Sequence, residues 1–136
     1  MLTTALLLAA GCGAPDGRGV PEFGVEPGQV VASAPGASTV SVWTAPAPPA
    51  KGVNAVRLRI VDAGGEPVEG GALRATAWMP AHGHGASVVP SVTEVGGGVY
   101  DLSRVVFFME GRWELRGELM GVGGAPDGFL ATFDVQ

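Results

Sequence analysis

Arg112-Trp113-Glu114-Leu115-Arg116-Gly117-Glu118-Leu119 decides the fold class. Its odd positions are apolar or small and its even positions are all charged. A side-chain period of two is what a β-strand with one buried and one wet face requires, whereas a helix would scatter these charges around its circumference. The same period recurs on either side. Val56, Leu58 and Ile60 alternate with Arg57 and Arg59; Leu73, Ala75, Ala77 and Met79 alternate with Arg74, Thr76 and Trp78; Phe129, Ala131, Phe133 and Val135 close the chain. Val40 and Val42 flank Ser41 and run into Trp43 before the proline-rich residues 45–50, which predicts a short first strand at a sheet edge. Residues 87–95 read as a strand that Pro90 confines to an edge or a bulge, and Val105, Phe107 and Met109 share one face of another. Turn chemistry separates these runs at Asp62-Ala63-Gly64-Gly65, Gly96-Gly97-Gly98, Glu110-Gly111 and residues 121–128. No stretch sustains an apolar period of 3.6, so the expected fold is all-β, an antiparallel β-sandwich of about seven strands.

The chain has 136 residues, and its N-terminal part is not built for a core. Four prolines and four glycines are interleaved between residues 13 and 36, a composition that forbids a regular helix or central strand and predicts a flexible tether over 12–37, the alternative being a stretch partly ordered against the domain through Val30-Val31. Residues 38–136 then form the domain, at roughly 100 residues the size of one immunoglobulin-like sandwich. Tyr100, in Gly98-Val99-Tyr100, is the candidate for the corner tyrosine of such folds. Eight Lys and Arg against thirteen Asp and Glu give a net charge of −5, with no basic cluster, so no nucleic-acid partner is expected.

The one cysteine, Cys12, can form no intramolecular disulfide and belongs to no CxxC pair. It follows an apolar run over residues 2–10 that is too short to span a bilayer, where about 20 residues are needed, but suits the hydrophobic region of an export signal. Ala9-Ala10-Gly11-Cys12 resembles the lipobox of bacterial lipoproteins, with Ala9 where that motif usually has Leu. The resemblance implies that residues 1–11 are a lipoprotein-type signal peptide, that Cys12 is the lipidation site, and that a lipid anchor holds the chain to a membrane. Gly13 in place of Asp implies the periplasmic face of the outer membrane as its place in the cell envelope.

Both histidines lie in Met79-Pro80-Ala81-His82-Gly83-His84-Gly85. In an extended segment residues i and i+2 project to one side, so His82 and His84 could reach one metal ion. Imidazole suits copper, zinc and nickel alike; a thioether from Met79 or Met109 would tilt the choice to copper. No carboxylate lies in the segment, which argues against calcium, magnesium or a catalytic zinc. The candidate metal residues are therefore His82, His84, Met109 and Met79, the alternative being an exposed loop over core methionines. No nucleophile, base and orienting acid recur at catalytic spacing, and the chain is not expected to be an enzyme.

Four pieces in order carry a resemblance to a family: Asp62-x-Gly64 followed by Pro67-Val68, the Met79-Pro80-x-x-Gly83-His84-Gly85 block, Gly98-x-Tyr100, and Met109-x-Gly111-x-Trp113-x-Leu115. Over residues 40–135 the chain resembles the YtkA-like domain family, related in pattern to the periplasmic part of FixH. The resemblance implies an exported immunoglobulin-like β-sandwich associated with copper handling or cytochrome oxidase assembly. It also implies that Met109 approaches the loop of Met79 to His84 at one end of the sandwich, with Trp78 and Trp113 flanking it. The expected function is a non-enzymatic periplasmic copper-binding lipoprotein, a chaperone, buffer or accessory whose partner is a copper transporter or oxidase-assembly protein. The alternative is a structural or protein-interaction β-sandwich without metal.

Overall fold

Trp113, Leu115 and Leu119, the apolar half of the stretch quoted first, are 0, 0 and 3 % exposed, and the charged half faces outward. The computed structural model describes residues 19–121 and 126–136; the predicted signal peptide and Cys12 lie outside them. Among the described residues the strands are β1 (Gln29–Ala32), β2 (Ser38–Ala45), β3 (Gly52–Asp62), β4 (Ala72–Met79), β5 (His84–Gly85), β6 (Ser91–Gly96), β7 (Val99–Phe107), β8 (Gly111–Met120) and β9 (Asp127–Val135). One sheet has the order β1-β2-β3-β7-β6 and the other β5-β4-β8-β9, with every pairing antiparallel. β2-β3-β7-β6 against β4-β8-β9 reproduces the A-B-E-D and C-F-G sheets of an immunoglobulin constant-type domain. The seven expected strands are these; β1 and the two-residue β5 are additional.

The core forms where the inward sides of the two sheets meet. Val56, Leu58, Ile60, Leu102, Val105 and Phe107 from the first sheet face Ala77, Leu115, Ala131 and Phe133 from the second, all buried. Gly117 occupies an inward position of β8 because its register partner Phe129 lays its ring there: a Cβ at Gly117 would stand 2.0 Å from the ring. An aromatic covering a strand glycine restores the packing that the missing side chain would have given.

The structure corrects the sequence reading at the N-terminal side. The predicted tether over 12–37 is partly folded domain: Gln29–Ala32 is β1, paired along β2, so β2 is an interior strand and not the edge it was expected to be. Ordering through Val30-Val31, the alternative to a free tether, is what is found, and what holds it is long-range. Val31 packs on the core, and the Gln29 amide bonds the backbone of Thr132 twice, Nε2 donating to its O at 3.0 Å and Oε1 accepting from its N at 3.2 Å. Even before β1 the chain lies on the domain, with the Arg57 guanidinium 4.7 Å from the Phe23 ring centroid and the Gly28 N–H donating to Val42 O at 2.8 Å. Arg57 is itself held by a two-point pair with Asp101, both bonds 2.7 Å, which raises the guanidinium pKa.

The corner assignment also moves. Tyr100 lies within β7, and its hydroxyl donates to Val68 O at 2.9 Å, in the connection between β3 and β4. Trp113 takes the corner position instead. It stands near the start of β8, fully buried, and its Nε1–H donates to Met109 O, four residues upstream, at 2.9 Å. An indole N–H here does what a corner tyrosine hydroxyl does, tying the turn between the two sheets to the first turn of the following strand.

Candidate functional site

The metal-ligand residues gather at one end of the sandwich. β4 ends at Met79, β8 begins at Gly111, and Gly52 of β3 pairs with Phe107, so the turn after β4 and the crossing from β7 to β8 are neighbours. Past Met79 the chain makes a tight turn in which Met79 O accepts from His82 N at 3.2 Å and from Gly83 N at 3.0 Å. Gly83 has φ +64°, the left-handed conformation that glycine adopts without steric cost. The turn returns the chain to pair as β5, His84 opposite Met79 and Gly85 opposite Trp78.

This geometry brings His82 and His84 together by a route other than the expected extended segment: one is in the turn and the other in the strand after it. Their ring centroids are 5.6 Å apart at 50°. Rings that ligate one ion through nitrogens about 2.0–2.1 Å away have centroids roughly 5–6 Å apart when the angle at the metal is near tetrahedral or trigonal. Both histidines are exposed. His84 stacks on Phe108 at 5.5 Å and 16°, and Phe108 meets Trp113 edge-on at 4.9 Å. A row of rings therefore runs from His82 through His84 and Phe108 to the buried Trp113.

The two methionines differ. Met79 is 3 % exposed and belongs to the core; its methyl would be 2.7 Å from a Cβ placed on Gly111, so that glycine leaves room for it. Met109 is half-buried against the core, in the same crossing as Phe108 and next to the turn that Trp113 ties down. Of the flanking aromatics, Trp113 is one ring removed from the histidines. Trp78 lies on the outer face of the second sheet, where Arg116 covers it at 4.6 Å. Phe108, which the sequence offers only as part of an exposed apolar patch for a protein partner, is here a neighbour of the histidine pair. The signal was there: Phe107 and Phe108 are adjacent, and in a strand only one of two neighbours can face the core. Among the described residues no three of His, Cys, Asp and Glu cluster, so no carboxylate completes the pair.

An immunoglobulin-type sandwich with a histidine pair on an aromatic row at one end is the class that fold and site define. The model of the YtkA-like family matches residues 36–117, more than half of the chain, and the chain belongs to that family. Among solved structures it is similar to a DUF4426 family protein from Pseudomonas aeruginosa PAO1, with a TM-score of 0.53 and 15 % identity over 73 % of this chain and 90 % of that one. It is also similar to the adhesin InvE of Yersinia pseudotuberculosis, with a TM-score of 0.49 and 21 % identity over 76 % of this chain and 27 % of that one. The first likeness shows the fold alone. No curated protein matches. Neither the YtkA-like nor the DUF4426 name denotes an enzyme family.

Proposed function

We propose that the protein is a non-enzymatic copper-binding lipoprotein of the cell envelope, acylated at Cys12, with His82 and His84 as ligands and Met109 as the thioether. The observation that carries this reading is the imidazole pair, 5.6 Å apart and backed by Phe108. Two imidazoles and a thioether suit a soft, low-coordinate ion such as Cu(I), and an aromatic wall on one side limits the access of water and of further ligands. Met79, sequestered in the core, supports the loop from below and is set aside as a ligand. The histidines stand on a short turn at the rim, accessible to another protein, which suits a site that accepts and releases its ion. A copper transporter or oxidase-assembly protein is the partner such exchange calls for. The short apolar run and the lipobox pattern support the anchor at Cys12, and Gly13 after the cysteine supports the periplasmic face of the outer membrane.

Competitive titration of the chain from residue 19 onward with Cu(I) and Cu(II) tests this reading. One ion per chain is expected, with binding lost in His82→Ala/His84→Ala and Cu(I) affinity reduced about 10–100-fold in Met109→Ala. Equal, weak binding by the parent and the double variant would contradict the metal site. Phe108, 39 % exposed beside His84, would then be the anchor of a protein-interaction surface.

A further inference from the structure

The segment 19–28 runs along the outer face of the first sheet, and its direction determines the end of the sandwich from which the preceding chain departs. Gly28 is bonded to Val42, Phe23 lies by Trp43 and Arg57, and Pro21 lies by Ala55 and Leu102. Gly19 shares an open cleft of about 750 Å³ with Pro46, Val53, Asn54 and Ala55. Followed backwards, the chain moves steadily toward the N-terminal end of β3, and Gly52, the first residue of β3, pairs with Phe107 at the histidine end. Gly19 therefore stands at the histidine end of the sandwich, on the outer face of the first sheet.

We propose that the domain stands on the membrane with its histidine end toward the bilayer, so that the site faces the lipid surface and partners embedded in it. This rests on the anchor at Cys12 proposed above. Distances decide the orientation. From Cys12 to Gly19 the chain advances seven residues, a reach of at most about 25 Å whatever their conformation. From Asn54, beside Gly19, to Asp62 at the opposite end of β3 is eight residues of strand, about 26 Å. The opposite end lies at the limit of that reach or just beyond it. A free tether over 12–37 would have reached roughly 85 Å and imposed no orientation at all. The strap converts a long leash into a short one. Apolar exposure does not distinguish the two ends, with Val53 70 % and Phe108 39 % exposed at the histidine end and Val95 56 % and Met120 43 % at the other, so the orientation rests on the strap.

The test uses the full chain, acylated in cells and reconstituted in phosphatidylcholine/phosphatidylglycerol vesicles whose headgroups carry an acceptor dye. Cys12 is the chain's one native cysteine, so Ala81→Cys in the histidine turn and Ala63→Cys at the opposite end each give one free thiol for a donor dye. With the two positions separated by roughly 30 Å along the strands, energy transfer from position 81 should exceed that from position 63 by about twofold or more. A flexible Gly/Ser spacer of about 15 residues inserted between residues 18 and 19 should abolish the difference. Equal transfer from both positions on a chain that floats with the vesicles, or a difference that survives the spacer, would overturn the orientation while leaving the anchor intact. A chain that does not float and carries no acyl mass on Cys12 would overturn the anchor, and the orientation with it.

Discussion

Replacing Trp113 by Phe removes one N–H and part of one ring at the place where fold and site are joined. The lost donor leaves Met109 O without the bond it accepts at 2.9 Å, in a turn packed on the core. A fully buried acceptor left unsatisfied costs about 1–3 kcal/mol, and for this half-buried carbonyl the upper part of that range is a ceiling. Trp113 is 0 % exposed and touches both Phe107 and Phe108, so the smaller ring also leaves a gap, worth about 1 kcal/mol. Together the loss is about 2–4 kcal/mol. With a urea m-value near 2 kcal/mol/M, typical of small domains, the midpoint should fall by roughly 1–2 M at unchanged m. Trp78→Phe is the internal control: it makes the same chemical change on the outer face, where the ring's partner is Arg116 at 4.6 Å, and should cost no more than about 1 kcal/mol. If the two substitutions destabilise equally, Trp113 is not the corner residue and the contrast drawn between the two tryptophans is wrong.

Gly117→Ala should destabilise by about 1–3 kcal/mol, because its Cβ would fall on the Phe129 ring; Phe129→Leu, which frees that space, should absorb much of the cost, and simple additivity in a double-mutant cycle would refute the packing assigned here. Burial, with Glu94 nearby, raises the Tyr100 pKa. Its neutral form is therefore favoured in the folded state, so its contribution to stability is complete below the unfolded value near 10 and is lost as pH rises through the folded one; Tyr100→Phe should flatten the alkaline fall in stability, and an unchanged pH profile would contradict this. Phe108→Ala should leave the unfolding midpoint within about 1 kcal/mol of the parent, because the ring is 39 % exposed, yet weaken copper binding by removing the stack that orients His84. Loss of fold, or undiminished copper affinity, would show that the ring's role is misassigned.

Alternation in the sequence carried β2, β3, β4, β8 and β9 because each places its inward side chains with a period of two, and that signal is local; β6, nearly all exposed, was bounded by its turns instead. Arg112 to Leu119 needed nothing else. β1 was legible only as the second reading of its stretch because its stability is not local: four residues among prolines and glycines are held by pairing with β2 and by the Gln29 amide reaching a strand a hundred residues away. Tyr100 was misread because a tyrosine after a glycine looks alike at either end of a sandwich; its partner, Val68, is distant in sequence. At the site, the histidine pair was legible from spacing, but the turn that joins the rings depends on Gly83 taking a positive φ and on β5 pairing back to β4. Met79 and Met109 could not be told apart by sequence, since both share parity with core residues. What separates them is that β4 carries Met79 under the turn, whereas β7 ends at Phe107 and leaves Met109 in the crossing.

The most direct test of the copper site is to follow side-chain resonances while Cu(I) is added to the chain from residue 19 onward under reducing conditions. The methionine methyls of Met79, Met109 and Met120 and the imidazole carbons of His82 and His84 report the candidate donors and a remote control at once. Shifts of both imidazoles and of the Met109 methyl, complete at one equivalent, with Met79 and Met120 unmoved, are the result predicted. Imidazole signals that stay in place through the addition would contradict the site, and a Met79 methyl that moves in place of Met109 would show that the wrong thioether had been assigned.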